Sequence, residues 1–233
     1  VSLKGAWVVV VSALMVAGCA TSDDGQPTAS PPHTSADASG SPLSPEPAPT
    51  DLAHQRPLTA GETELARMVF GDSVDCSVVL VHNHAYPLLG GFQPDDVAVT
   101  PNGEMYFPAP SFQLDFSAGS PDSARWFVHE MVHVWQYQLG YPVLERGMNR
   151  AVLRYDYDLD APSPDARCGE RCRLADFDME QQGEIVADYV AMTTLGQATS
   201  GERRYSTADL ARYRTVLADF LADPADPANL PRR

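Results

Sequence analysis

Two histidines four residues apart flank an acid in the run Trp126-Phe127-Val128-His129-Glu130-Met131-Val132-His133-Val134-Trp135. On a helix that spacing stacks both imidazoles on one face, one turn apart, where they can share one zinc ion. Glu130, rotated by ~100° from His129, can reach a water held by such an ion without binding the ion itself. Zinc draws the pKa of its water toward ~7. A carboxylate beside it can take the proton and later return it to a leaving amine. The positions flanking the motif, out to Trp126 and Trp135, are uncharged, as a helix buried around an active site requires. The blander account of the same spacing is a pair of satisfied histidines on an amphipathic helix.

A site of this kind needs a third protein ligand, and no histidine follows His133. Glu180, Glu184 and Asp188 recur every four residues and therefore share one helical face. Buried together they would repel unless a cation lay among them; a solvated acidic face is the alternative. The stretch Glu184-Ile185-Val186-Ala187-Asp188-Tyr189-Val190-Ala191 resembles the Glu-x-x-Ala-Asp-x-x-Ala signature of gluzincin peptidases, which also carry HExxH. That resemblance implies a zincin-like domain in which Glu184 is the third zinc ligand and Asp188 orients His129 or His133 from behind. Glu180 is the rival ligand. Tyr155, Tyr157 and Tyr189 are candidates for polarising a substrate carbonyl.

Helices and a small sheet must position these groups. Thr59 and Glu62 form a capping box ahead of Leu65, Met68 and Val69, which predicts a helix to Phe70 that Gly71 stops. The run Cys76 to Val81 reads as a buried strand. Val97–Thr100 and Glu104–Phe107, joined by Pro101-Asn102-Gly103, read as a hairpin. Pro108 and Pro110 put its second strand at a sheet edge, where an extended peptide would add alongside. Ser120-Pro121-Asp122 opens the histidine helix and Gly140 closes it. A second long helix spans Met179 to Leu195, capped by Asp176 or Asp178 and stopped by Gly196, and a third runs from Ser206 to just before Pro224. Tyr155, Tyr157 and Leu159 read as a short strand or an extended loop. The sum is an α+β domain, a small antiparallel sheet packed on the histidine helix and on the acid-bearing helix.

That domain occupies residues 58–224, with 225–233 as a flexible tail. Before it, Lys4 and an apolar run from Ala6 to Ala17 make a signal peptide over residues 1–18, too short for a spanning helix of ~20 residues. Val16-Ala17-Gly18-Cys19 resembles the lipobox of bacterial lipoproteins, which implies a lipidated Cys19 anchored in a membrane of the bacterial envelope. Residues 19–57 are a tether of Pro, Ser, Thr and Ala, with too little apolar surface to fold. In an oxidising compartment Cys168 and Cys172 can close a small loop; pairing of Cys76 with either stays open. His82-Asn83-His84 reads as an exposed loop in preference to a second metal site. With 16 Lys+Arg against 31 Asp+Glu, the net charge of −15 argues against nucleic acid and against an anionic membrane surface as partners.

Phe127 to Gln136, Tyr155-Asp156-Tyr157 and Glu180 to Val186, with Leu58-Thr59-x-x-Glu62 and Val69-Phe70-Gly71-Asp72, resemble a bacterial family labelled Vgr-related or Rhs-element-associated. The likeness covers most of residues 58–195. The lipobox, the tether and the segment around Cys168 depart from that pattern. The expectation is a monomeric, membrane-tethered peptidase with one zinc ion, acting on peptide or protein. The alternative is a catalytically silent, secretion-associated scaffold, which has no need of Glu130 beside two ligands.

Overall fold

The computed structural model describes residues 54–89, 93–148, 154–163, 167–197, 199–200, 203–204 and 206–232. The expected leader, Cys19 and nearly all of the tether lie outside these. The tether's last residues do not: Gln55–Pro57 form a strand, β1. What recruits them is Glu62. It sits in α1 (Ala60–Phe70), whose first turn is closed by reciprocal bonds between Thr59 and Glu62. Glu62 is fully buried, and its carboxylate also takes a forked pair from Arg56 at 2.7 and 2.8 Å and the N–H of Phe116 at 2.9 Å. A buried carboxylate needs such a complete set of donors, so β1 and the 113–116 loop are clamped to α1.

The sheet is smaller than expected, and mixed. β1 pairs antiparallel with β2 (Leu80–His82), which pairs parallel with β3 (Met105–Tyr106), in the order β1-β2-β3. Cys76–Val78, expected as strand, is a 3-10 turn capped by Asp75. The expected hairpin shrinks to one antiparallel bridge, Val99 to Tyr106. Its turn is pressed against the histidine helix, where a side chain at Gly103 (φ 82°) would overlap the Tyr137 ring at 2.5 Å. The outer edge of β3 is consequently not open: Tyr106 exchanges both backbone bonds with Val99, and its carbonyl also accepts from Gln93. Strand addition of a peptide at Tyr106 would have to displace these bonds.

Helix α2 (Pro121–Gln138) starts at Ser120, whose hydroxyl accepts the Ser123 N–H, with Pro121 in the first turn. Phe127, Met131, Val132, Val134 and Trp135 are all fully buried, and His129, Glu130, His133 and Gln136 are buried among them, so this stretch of the helix runs through the core. It crosses α4 (Met179–Thr193), which Asp178 caps. At the crossing a Cβ on Gly183 would lie 2.7 Å from His129 Cε1, so only glycine lets the helices approach this closely. A short α3 (Val143–Met148) follows α2, and a two-stranded pair, β4 (Thr199–Ser200) and β5 (Arg203–Arg204), follows α4. The last helical stretch breaks at Leu217 into α5 (Thr207–Val216) and α6 (Ala218–Ala222).

Residues 225–232, expected as a flexible tail, are tied back to the domain, with Asn229 and Pro231 buried. The Pro224 carbonyl accepts from the Trp135 indole at 2.7 Å, the Asn229 carbonyl from Gln182 at 3.0 Å, and Arg232 donates its N–H to Ala175. Cys168 and Cys172 are joined by a disulfide, and Cys76 is free. Among the described residues no helix is long and apolar enough to cross a membrane.

Candidate metal centre

His129 and His133 meet on α2 with their Nε2 atoms 3.2 Å apart, and Glu180 Oε2 lies 3.2 Å from each. Three donors at this mutual spacing make one face of a tetrahedron whose centre is about 2.0 Å from every corner, the length of a Zn–N or Zn–O bond. All three residues are buried. Their outer nitrogens face away from this point, toward Gln136 and Glu184. His133 Nδ1 donates to Gln136 Oε1 at 2.9 Å, and that amide is held the right way round because its NH2 donates to Met179 O and Gln182 Oε1. His129 Nδ1 faces Glu184 Oε1 at 3.0 Å, an ionic contact poorly aligned for a hydrogen bond. Both rings thus turn their Nε2 edges toward Glu180, where a metal ion would take the place of the proton that faces the carboxylate.

The electrostatics of the cluster favour a cation. Burial alone would depress both histidines, yet the facing carboxylates outweigh it: Glu180 and Glu184 lift His129 to about 10, and Glu180 lifts His133. Burial works against the acids too, but the imidazoles hold Glu180 far below the usual carboxylate range, and His129 with Arg125 holds Glu184 at about 2. Anionic acids around a proton-hungry pair of rings mark a place where positive charge is wanted.

The geometry separates the two rival acids. Glu180 converges with both histidines; Glu184, one turn further along α4, sits behind His129 and is gripped by Arg125 at 2.5 Å. Asp188 reaches the site through that guanidinium, which it binds at 2.7 Å, with Tyr157 at 2.5 Å and Tyr213 at 3.2 Å completing its partners on this side. Its expected direct hold on a histidine is replaced by this relay through Arg125 and Glu184. Sequence reasoning did not single out Arg125, although it is the one cation of α2 and stands four residues before His129, on the same face.

Glu130 is buried beside the pair, and its Oε2 accepts the Thr100 hydroxyl at 2.7 Å. Nothing in the sequence around Thr100 signals that contact. Of the three tyrosines, Tyr155 is half exposed with its ring stacked on His129 at 6.2 Å. Tyr157 is committed to Asp188, and Tyr189 lines a shallow apolar hollow with Met68, Val69 and Phe220.

No protein-family model matches the chain. Over 161 residues it is 35% identical to the type VI secretion system spike protein VgrG2b of Pseudomonas aeruginosa, a match that takes in 66% of this chain and 15% of that protein. In three dimensions it is similar to the effector domain of P. aeruginosa VgrG2b, with a TM-score of 0.53 and 32% identity over 70% of this chain and 82% of that one. The chain belongs to the VgrG2b effector-domain family. It spans about 15% of the length of VgrG2b itself, so the likeness to VgrG2b is to one domain and not to the whole spike protein.

Proposed function

We propose that this domain is a zinc-dependent peptidase, with His129, His133 and Glu180 as metal ligands and Glu130 as general base and then general acid. The observation that carries the reading is the convergence of those three donors at 3.2 Å beside a buried acid that is not among them. The donor set fits zinc: two imidazoles, which would give up a proton from Nε2 on binding it, and one carboxylate. When bound, the ion would supply the positive centre that acidifies water and polarises an amide carbonyl. Thr100 fixes one oxygen of Glu130, leaving Oε1 to accept the proton and to pass it to the departing amine. Tyr155, whose half-exposed ring stacks on that of His129, would donate to a carbonyl oxygen. Glu184 would serve as the outer partner of His129 rather than as a ligand.

Peptide or protein is the proposed substrate, and export with a lipid on Cys19 the proposed setting; palmitate labelling of wild type against Cys19→Ser tests the anchor. A second reading, a secretion-associated scaffold without catalysis, is favoured by the relative's name as a spike protein. A quenched-casein assay with metal analysis separates the two. Chelator should abolish cleavage, Glu130→Ala should keep its zinc and lose ~100-fold or more in rate, and Glu180→Ala should lose zinc far more than Glu184→Ala. Chelator-insensitive cleavage, or equal cleavage by Glu130→Ala, overturns the peptidase reading. A zinc-loaded wild type inert on every peptide offered favours the scaffold.

A further inference from the structure

A second group of histidines lies on the other face of the sheet. Val81 and Met105, paired across β2 and β3, are fully buried in the core that α2 shares. Their neighbours His82 and Tyr106, also paired, point the opposite way because side chains alternate along a strand. His82 stacks flat on Tyr106 with ring centres 4.1 Å apart. Its Nε2 lies 2.8 Å from Glu104 Oε2, which also accepts the Tyr106 hydroxyl at 3.0 Å.

The protons can be assigned by elimination. A carboxylate only accepts, so His82 Nε2 is the donor and Nδ1 carries the lone pair. That Nδ1 is buried and has no hydrogen-bond partner, in a ring 6% exposed. A buried polar atom left this way costs ~1–3 kcal/mol unless something unseen satisfies it. His84 has the complementary arrangement. Its Nδ1 lies 2.9 Å from the Ala85 carbonyl, also acceptor only, so Nδ1 donates and Nε2 holds the lone pair. One ring is thus backed by a carboxylate and the other by a carbonyl, the two supports that metal-binding histidines use.

Spacing agrees with that chemistry. Two imidazoles on one tetrahedral ion at ~2.0–2.1 Å have centres about 5.2 Å apart. His82 and His84 are 5.3 Å apart, against 4.9 Å for His129 and His133. A third imidazole stands at the rim: His54, exposed, has its ring 6.3 Å from that of His84, and its carbonyl accepts the Asn83 N–H at 2.7 Å. Among the described residues only His129, His133 and Glu180 already bring three donor atoms within 4.8 Å of one another. The second group therefore needs the exposed His54 ring to swing inward, and it binds more weakly.

We propose that His82 Nδ1 and His84 Nε2, closed by His54 and backed by Glu104, form a second site for a borderline divalent metal such as Zn2+ or Cu2+. It is distinct from the candidate catalytic centre, lying on the far side of the sheet, and does not depend on the peptidase reading. Titration of the metal-stripped full chain with Zn2+, followed by calorimetry and by long-range 1H–15N spectra of the imidazoles, tests it. Metal-free protein should show His82 as the Nε2–H form and His84 as the Nδ1–H form. A weaker second binding step should then move the His82 Nδ1 and His84 Nε2 resonances. His84→Ala, at a half-buried loop position, should fall from about two zinc equivalents to about one, and His54→Ala should weaken the second step ~10-fold. Glu180→Ala should lose the first step and retain the second. Opposite tautomers, an unmoved His82 Nδ1, no zinc bound by Glu180→Ala, or equal numbers of equivalents in wild type and His84→Ala overturns the proposal.

Discussion

Replacing Arg125 with methionine keeps the packing of the stem and deletes the guanidinium. Glu184 and Asp188, with side chains 23% and 3% exposed, then stand one helical turn apart without their shared counter-charge. Removing one member of a buried ion pair costs ~3–5 kcal/mol. Asp188 keeps the hydroxyls of Tyr157 and Tyr213, and Glu184 has partial access to water, so the loss belongs at the lower end, about 3 kcal/mol. At ~2–4 °C per kcal/mol for a domain of this size, the midpoint should fall by roughly 6–12 °C. Glu184, no longer gripped, turns toward solvent and stops facing His129 Nδ1. Zinc affinity should then drop ~10–100-fold, the usual penalty for losing the outer partner of a metal-binding histidine. Thermal unfolding of chelated protein and competitive zinc titration measure the two effects separately. Neutralising both acids in the same background, Arg125→Met with Glu184→Gln and Asp188→Asn, should restore most of the stability and none of the affinity. A midpoint within ~2 °C of wild type, or a triple variant no more stable than the single one, refutes the reasoning.

Gly183→Ala drives a methyl into the His129 ring, so zinc affinity should fall by at least ~10-fold although alanine is the better helix former by ~1 kcal/mol; unchanged affinity would mean that the α2–α4 crossing yields. Thr100→Val removes the donor to Glu130 and should lower kcat ~10-fold with zinc content intact, as read by casein cleavage alongside metal analysis. Asp178, the cap of α4, is pushed up to about 6 by burial, against 3.8 when free. Its contribution to stability is therefore complete below about 4 and lost as pH rises through about 6. Asp178→Asn, which caps equally well, should flatten that part of the pH–stability curve and raise the midpoint at pH 7. An unaltered slope between these limits counts against the burial argument.

What the sequence made legible is what local chemistry decides. The caps of α1, α2 and α4 are each written within four residues: α1 and α2 begin where Thr59 and Ser120 predict, and α4 begins at Asp178, one of its two candidate caps. The histidine pair follows from one helical repeat. The third donor does not, because Glu180 and Glu184 occupy the same face of α4, one turn apart. The choice between them depends on where α4 crosses α2, which Gly183 sets, and on Arg125, which engages Glu184 from 59 residues away. The small sheet was misjudged for a related reason. Val97–Thr100 has the composition of a strand, but Thr100 is drawn to Glu130 on α2, and only the Val99 bridge remains.

The packing of residues 224–232 gives the site an order of assembly. Gln182, which fixes the Gln136 amide behind His133, spends one N–H on the Leu174 carbonyl and the other on that of Asn229. Trp135, two residues past His133, has its indole bound to Pro224. During synthesis the histidine helix leaves the ribosome some ninety residues before the Pro224 and Asn229 carbonyls do. Until they arrive, the Trp135 indole and one N–H of Gln182, on the two helices that carry the candidate ligands, lack these partners. The packing around the candidate centre is therefore completed late, and a chain halted before Pro224 would carry every candidate ligand with these two donors still unsatisfied.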